Sequence, residues 1–267
     1  MPKTILITGA TDGIGFETAK MLIDQGHHVL LHGRNPDKLK TVQVQLTTLG
    51  KGQEPETYVA DLSVMSDVEA LAKAIATKYP KLDVLINNAG VYNTSKPVTQ
   101  DELDVRFVVN AIAPYLLTQR LLPLMSSSGR VVNLSSAAQS TVNLAALKGE
   151  ARLTDSAAYA QSKLALTMWS RSLGLALKDR DLVVVAVNPG SLLGSKMVKQ
   201  AYGMDGKDLL IGAKILTRAA LSDEFATASG EYFDNDRGTF AQAHPDVYDE
   251  KKVEELIAII MKILLIK

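Results

Sequence analysis

Short, nearly unbroken apolar runs rich in Val, Ile and Leu recur along this chain: KTILIT (3–8), HVLLH (28–32), ETYVA (56–60), LDVLIN (82–87), RVVNLS (130–135) and LVVVAVN (182–188). Most lack polar alternation, which is the pattern of strands buried on both faces of a parallel sheet. Helix-length segments at 14–25, 37–48, 64–78, 99–125 and 156–178 alternate with them. Ser63 and Ser66 are expected to cap the third helix, and Asp155 or Ser156 the last. Parallel neighbours need a crossover connection, so the alternation predicts an α/β fold, a Rossmann-type doubly wound parallel β-sheet flanked by helices. No linker, repeat or low-complexity stretch divides residues 1–267, and a single domain is expected. A substrate lid is expected at about 190–225, and a C-terminal helix at about 246–265.

Composition narrows the function. Lys+Arg and Asp+Glu both total 29 in 267 residues, so no basic field would draw in nucleic acid. With no cysteine, thiol nucleophiles, disulfides and thiolate metal sites are excluded, and no metal is expected. No secretory signal and no apolar run of roughly 20 residues is read from the sequence. The apolar tail VEELIAIIMKILLIK is broken by Glu254, Glu255, Lys262 and Lys267, and reads as an amphipathic helix packed on the body or on a second subunit rather than a membrane anchor. A cytoplasmic protein is expected.

ITGATDGIGFETAKML places Gly9, Gly13 and Gly15 between the first strand and the first helix. A diphosphate can approach backbone only where no Cβ intervenes, and the helix beyond offers unpaired N–H groups and a positive dipole end. The same loop, without a ligand, would be a plain turn. Its spacing is Thr-Gly-x-x-x-Gly-x-Gly. NNAG (87–90), NLSS (133–136), YAQSK (159–163) and NPG (188–190) follow in order. Together these motifs resemble the short-chain dehydrogenase/reductase family over essentially the whole chain.

Tyr-x-x-x-Lys also occurs at Tyr92/Lys96 and Tyr248/Lys252. Ligands of such sheets sit beyond the C-terminal strand ends, where Tyr159 opens a helix, while Tyr92 and Tyr248 read as surface tyrosines. A phenol with a pKa of about 10 relays protons poorly near neutrality, and Lys163 at i+4 on the same helical face favours the phenolate. The resemblance implies Tyr159 as general acid/base, with Lys163 also bonding the nicotinamide ribose. It implies Ser136, the second of the Ser135–Ser136 pair, as the hydroxyl that holds the reacting oxygen. It also implies Asn110 as the residue that disrupts its helix and holds a water in the proton relay. Read alone, Ser135 or Ser136 could be a turn former and Asn110 a local kink.

For the cofactor, the resemblance implies contacts from Gly9, Thr11, Asp12, Gly13, Ile14 and Gly15 in the loop. Asp61 and Leu62 would lie at the adenine, and Asn87, Ala89 and Gly90 under the adenosine ribose. Pro189 and Gly190 would lie beside the nicotinamide, with Tyr159 and Lys163. Asn87 could instead only stabilise its strand. After the second strand, an NAD enzyme commonly carries a carboxylate for the ribose 2′-hydroxyl; here Gly33 stands there, followed by Arg34 and Asn35. A guanidinium pairs with a 2′-phosphate, so NADP(H) is expected over NAD(H), with Asp12 as the counter-signal and a plain surface charge as the alternative for Arg34.

Tyr159 follows Ser136 by 23 positions, longer than is common in the family, and the excess STVNLAALKGEARLTDS resembles that of retinol-dehydrogenase-like members. It would either shape specificity or be a surface insertion. Val91, Tyr92, Leu192, Leu193, Met197 and Met204 suggest an apolar cleft wall, and hence a lipophilic carbonyl or alcohol substrate. The helices at 99–125 and 156–178 suggest a homo-oligomer. A nucleotide-binding sensor without turnover is the alternative. A methyltransferase would not explain Tyr159 and Lys163, and a serine hydrolase lacks its Gly-x-Ser-x-Gly elbow.

Overall fold

The structure is a computed structural model and describes residues 1–49 and 54–265. Eight strands form one sheet: β1 Thr4–Ile7, β2 His28–Gly33, β3 Glu56–Val59, β4 Leu82–Asn87, β5 Met125–Leu134, β6 Val183–Asn188, β7 Tyr232–Asp234 and β8 Thr239–Ala241. Their order is β3-β2-β1-β4-β5-β6-β7-β8, parallel except for β8, which runs antiparallel to β7. The helices are α1 Gly13–Asp24, α2 Pro36–Leu49, α3 Met65–Lys78, α4 Val105–Phe107, α5 Ala113–Leu121, α6 Leu144–Leu147, α7 Asp155–Ala176, α8 Lys196–Tyr202, α9 Leu209–Leu221 and α10 Glu250–Leu265.

Side chains alternate across a strand, so each apolar run feeds two cores. Leu6, Leu30, Leu85, Val131 and Val184 face α3, α5, α7 and α10. Ile5, Ile7, Val29, Leu31, Val84, Ile86, Val132 and Val185 face α1, α2 and α9. This is why the runs show no polar alternation. In register, Asn87 meets Asn133 and Asn133 meets Ala186, which aligns the C-terminal ends of β4, β5 and β6 at one rim.

Several expectations need correction. The helix expected over 99–125 begins at Val105, where Asp104 caps it, because Thr99 N–H bonds Leu103 O in a preceding turn. Between α4 and α5 the helix widens to a π turn at Val108–Ile112. Thr154 caps α7, and Val64 precedes α3 without a side-chain cap. Ser63 bonds Asp61 instead. Val105–Leu124 is, by length and apolarity, long enough to cross a membrane, contrary to the sequence reading, yet 78% of its apolar window is buried inside the fold.

The 190–225 stretch holds two different things. The segment from Ser191 to Asp208, with α8, lies over the rim. α9 is a core helix, with Ile215, Leu216, Ala219 and Ala220 buried on the sheet. Nor does α7 present a bare face. All of 162–170 is buried, and α10 covers it with Val253, Leu256 and Ile260. The buried faces of α7 are covered within the chain by the sheet and α10.

Candidate active site

The glycine loop depends on contacts that side chains would prevent. Gly9 (φ 67°) and Gly13 (φ 57°) are left-handed. A Cβ on Gly15 would stand 2.2 Å from Gly9 O and 2.4 Å from Asn88 Nδ2. Asn88 braces the loop, its Nδ2 donating to Thr8 O (2.8 Å) and Gly9 O (3.1 Å), while Thr8 Oγ1 accepts from the N–H groups of Asn88 and Ala89. On the other side His32 Nδ1 accepts from Gly9 N–H at 3.2 Å and Nε2 donates to Ala60 O at 3.0 Å. Burial pushes this imidazole down to a pKa of about 4. Thr8, His32 and Asn88 escaped the sequence reading. The available signal was a polar side chain inside HVLLH and two asparagines, not one, in NNAG.

At the adenosine end, a Cβ on Gly33 would lie 2.5 Å from Thr11 Cγ2, so a side chain there requires Thr11 to shift. Arg34 and Asn35 are exposed, and Asn35 Oδ1 accepts from Lys38 N–H at the start of α2. Asp61 Oδ1 accepts from Ser63 N–H and Oγ, beside buried Leu62. Asn87 turns inward: its Nδ2 donates to Thr118 Oγ1 (3.1 Å) and Asn133 Oδ1 (2.8 Å), and Asn133 continues the chain to Ser170. These bonds are the ones the strand-stabilising alternative requires. Asp12 caps α1 through Gly13 N–H, and Ile14 packs near α9, 3.1 Å from where a Gly212 Cβ would stand.

The other half of the rim gathers Gly90, Asn110, Tyr159 and Lys163, and Ser136 lies in the turn after β5. Asn110, inside the π turn, accepts from Val91 N–H (2.8 Å) and donates to Val91 O and Ser162 Oγ (2.9 Å each), fastening the turn after NNAG to α7. Widened turns of this kind recur at functional sites. Lys163 is 3% exposed; its Nζ donates to Leu134 O at 2.7 Å and lies 5.7 Å from the centre of the Tyr159 ring. Burial lowers its pKa to about 8. Gly90 leaves space here, since its Cβ would meet Asn110 Oδ1 at 3.5 Å and Lys163 Nζ at 3.6 Å.

The two serines separate by direction. Ser135 is buried with its hydroxyl on Thr167 (2.7 Å), whereas Ser136 is half-buried and its Oγ accepts a local N–H, from Ala138, in a turn after β5. Tyr92 is no surface residue of the kind expected: its ring lies 5.0 Å from that of Tyr159. Buried Arg106 sets this geometry, bonding both oxygens of Asp104, pairing with Asp155 in the first turn of α7, and reaching Tyr92 O. Tyr248 stays at the surface, 44% exposed under Arg171.

The segment after Pro189–Gly190 folds down onto the glycine loop. Lys196 pairs with Asp12 at 3.7 Å, and Met197 Cε comes within 3.8 Å of where a Gly90 Cβ would stand. Leu192 and Met204 are exposed, while Leu193, expected in the cleft wall, is buried against α9. No group of His, Cys, Asp or Glu suited to a metal occurs among the described residues.

The model of the family described as short chain dehydrogenase matches residues 3–205. The chain belongs to the short-chain dehydrogenase family. Among relatives of this family, human polyprenol dehydrogenase is 32% identical over 89% of this chain and 78% of its own length. Retinol dehydrogenase 12 of Mus musculus is 32% identical over 86% of this chain and 77% of its own. A short-chain dehydrogenase from Shigella flexneri, solved in complex with NADP, superposes with a TM-score of 0.71 at 29% identity, covering 88% of this chain and 97% of that one. The family match ends at residue 205, so the β7–β8 hairpin and α10 lie beyond it.

Proposed function

We propose that this chain is an NADP(H)-dependent oxidoreductase that interconverts a carbonyl and an alcohol, with Tyr159 as general acid/base. The observation that carries the reading is the buried Lys163 ammonium beside the Tyr159 ring, at the rim where β4 and β5 end and the glycine loop opens. A dinucleotide fits the residues present. Gly13 leaves open space above the loop, with only Ser195 Cβ within 4 Å of its missing side chain, and the N-terminus of α1 lies directly behind. The lack of a carboxylate at Gly33, together with exposed Arg34, supports NADP(H) over NAD(H). The NADP complex of the Shigella flexneri relative supports the same choice.

Bound NADPH would supply the hydride to the carbonyl carbon. The chain's own part is to hold the substrate oxygen and give it a proton. Tyr159 donates that proton from its hydroxyl, and the tyrosinate left behind is stabilised by the neighbouring ammonium of Lys163. An ammonium has three donors, so the bond to Leu134 O leaves Lys163 able to reach further acceptors. Ser136 presents a hydroxyl to the same oxygen. Asn110 holds Val91 and α7 in place, and with them the floor beneath the reacting atoms. Tyr92, Leu192, Met197 and Met204 give the cleft apolar surface, and retinol and polyprenol, in the relatives' names, are lipophilic alcohols. A lipophilic ketone or aldehyde, or the matching alcohol, is the substrate class we assign.

Tyr159→Phe tests the assignment of the proton donor. NADPH oxidation over a panel of ketones and aldehydes should fall by about 10²-fold or more while NADPH affinity stays within about twofold. A variant that kept more than about a tenth of wild-type kcat would remove Tyr159 from the role.

A further inference from the structure

The β7–β8 hairpin lies beyond the family match and carries no residue singled out from the sequence, yet its tip holds the loop that ends β6. Asn188 Nδ2 donates to Asp234 Oδ1 (2.9 Å) and Asp236 Oδ2 (3.0 Å). Asn235 N–H bonds Asn188 O (3.1 Å), and Asn235 Nδ2 bonds Pro189 O (2.8 Å). Ser191 donates to Asp236 twice, from N–H to Oδ1 (2.8 Å) and from Oγ to Oδ2 (2.5 Å). Gly190 N–H turns back to Asn188 Oδ1 at 3.3 Å, and Gly190 itself is at φ 115°, a conformation open to glycine and costly for a side-chain-bearing residue. Residues 188 to 191 are thus all bonded to the hairpin tip or to one another.

The same hairpin reaches the opposite wall. Tyr232, the first residue of β7 and 7% exposed, donates its hydroxyl to Ser136 O at 3.2 Å. Gln139 Nε2 donates to that carbonyl as well, at 2.9 Å. One short strand therefore bridges the Ser136 turn and the Pro189–Gly190 loop. A carboxylate accepting three hydrogen bonds is costly to replace, because each donor it releases must find another partner.

We infer that Asp236 is a positioning residue for the nicotinamide half of the cofactor site, acting through the Asn188–Ser191 loop, with Tyr232 doing the same for the Ser136 turn. Neither touches the cofactor. This inference rests on the proposed NADP(H) reading and adds to it a division of labour. The adenosine half is held by the glycine loop and the end of β2, and the nicotinamide half by a hairpin from the far edge of the sheet.

The test compares two ligands by titration calorimetry: NADPH, which spans both halves, and adenosine 2′,5′-bisphosphate, which fills only the adenosine half. Asp236→Ala should raise the dissociation constant for NADPH by roughly tenfold, the scale of one lost bond to a charged group, and leave the bisphosphate within about twofold. Asp236→Asn keeps the shape but turns an NH2 donor toward groups that donate to the carboxylate, and should weaken NADPH part of the way toward Asp236→Ala. Ser191→Ala, which keeps the Ser191 N–H bond to Asp236, should fall between wild type and Asp236→Ala and serves if the latter fails to fold. Equal weakening of both ligands would make the role merely structural, and unchanged NADPH affinity would remove it; either result overturns the inference. Wild-type protein that bound neither ligand would instead sink the cofactor reading itself, and this inference with it.

Discussion

His32 illustrates how a single buried side chain couples the site to stability. Its ring sits between Gly9 N–H and Ala60 O, and protonation would turn Nδ1 from acceptor into a second donor facing a donor. Burial lowers its pKa from 6.5 to about 4, so the folded state refuses a proton that the unfolded chain takes up. The contribution is complete above pH 6.5 and declines as pH falls from 6.5 toward 4. The shift corresponds to at most about 3 kcal/mol. His32→Gln, an amide able to both donate and accept, should flatten the fall of unfolding free energy across that window. An identical acid slope in the variant would show that His32 does not carry it. At the same scale, Ser135 and Ser136 show what sequence leaves open: two adjacent hydroxyls are equivalent on paper, yet just past β5 one is buried on Thr167 and the other is half-buried, accepting from Ala138 N–H.

Among elements, legibility follows length and pattern. Five of the strand runs were readable because strands buried on both faces are apolar almost throughout, whereas ETYVA forms the partly exposed edge strand β3; Tyr159, Lys163 and the glycines were readable because they recur at fixed places around such a sheet. YFD and TFA, the strands of the hairpin, are three residues each, too short for any periodicity to register. The start of the helix at Val105 and its π turn depend on Asp104 and Asn110 bonding to partners far along the chain or in a local turn, which spacing alone does not reveal. From sequence, the segment at 140–156 reads either as a specificity element or as a plain insertion. It forms α6, capped by Asn143, and buries Ala146 and Leu147 in the core under α10. α10 is itself a layer of the body rather than an appendage, with Leu256 fully buried. Leu256→Ala should therefore cost about 2–5 kcal/mol in urea unfolding, and a loss under about 0.5 kcal/mol would mean that α10 is only loosely attached.

For the whole molecule, the sheet order brings the two halves of the proposed site along a single rim. β1 and β2 bring the glycine loop and Arg34, β4 and β5 bring Gly90 and Ser136, and β6 with its hairpin brings Pro189 and Gly190. α7 lays Tyr159 and Lys163 across the middle, and the segment with α8 closes from above through Lys196 and Met197. A dinucleotide lying along that rim would place its reactive end beside Tyr159. The most direct test is to titrate the wild-type protein with NADPH and with NADH, then follow NADPH oxidation against lipophilic ketones and aldehydes. NADPH should bind at least about tenfold more tightly than NADH, a difference of about 1.4 kcal/mol, and at least one carbonyl should be reduced. Tight NADPH binding without turnover of any carbonyl would contradict the oxidoreductase and leave a cofactor-binding protein; binding of neither nucleotide would contradict the site as a whole.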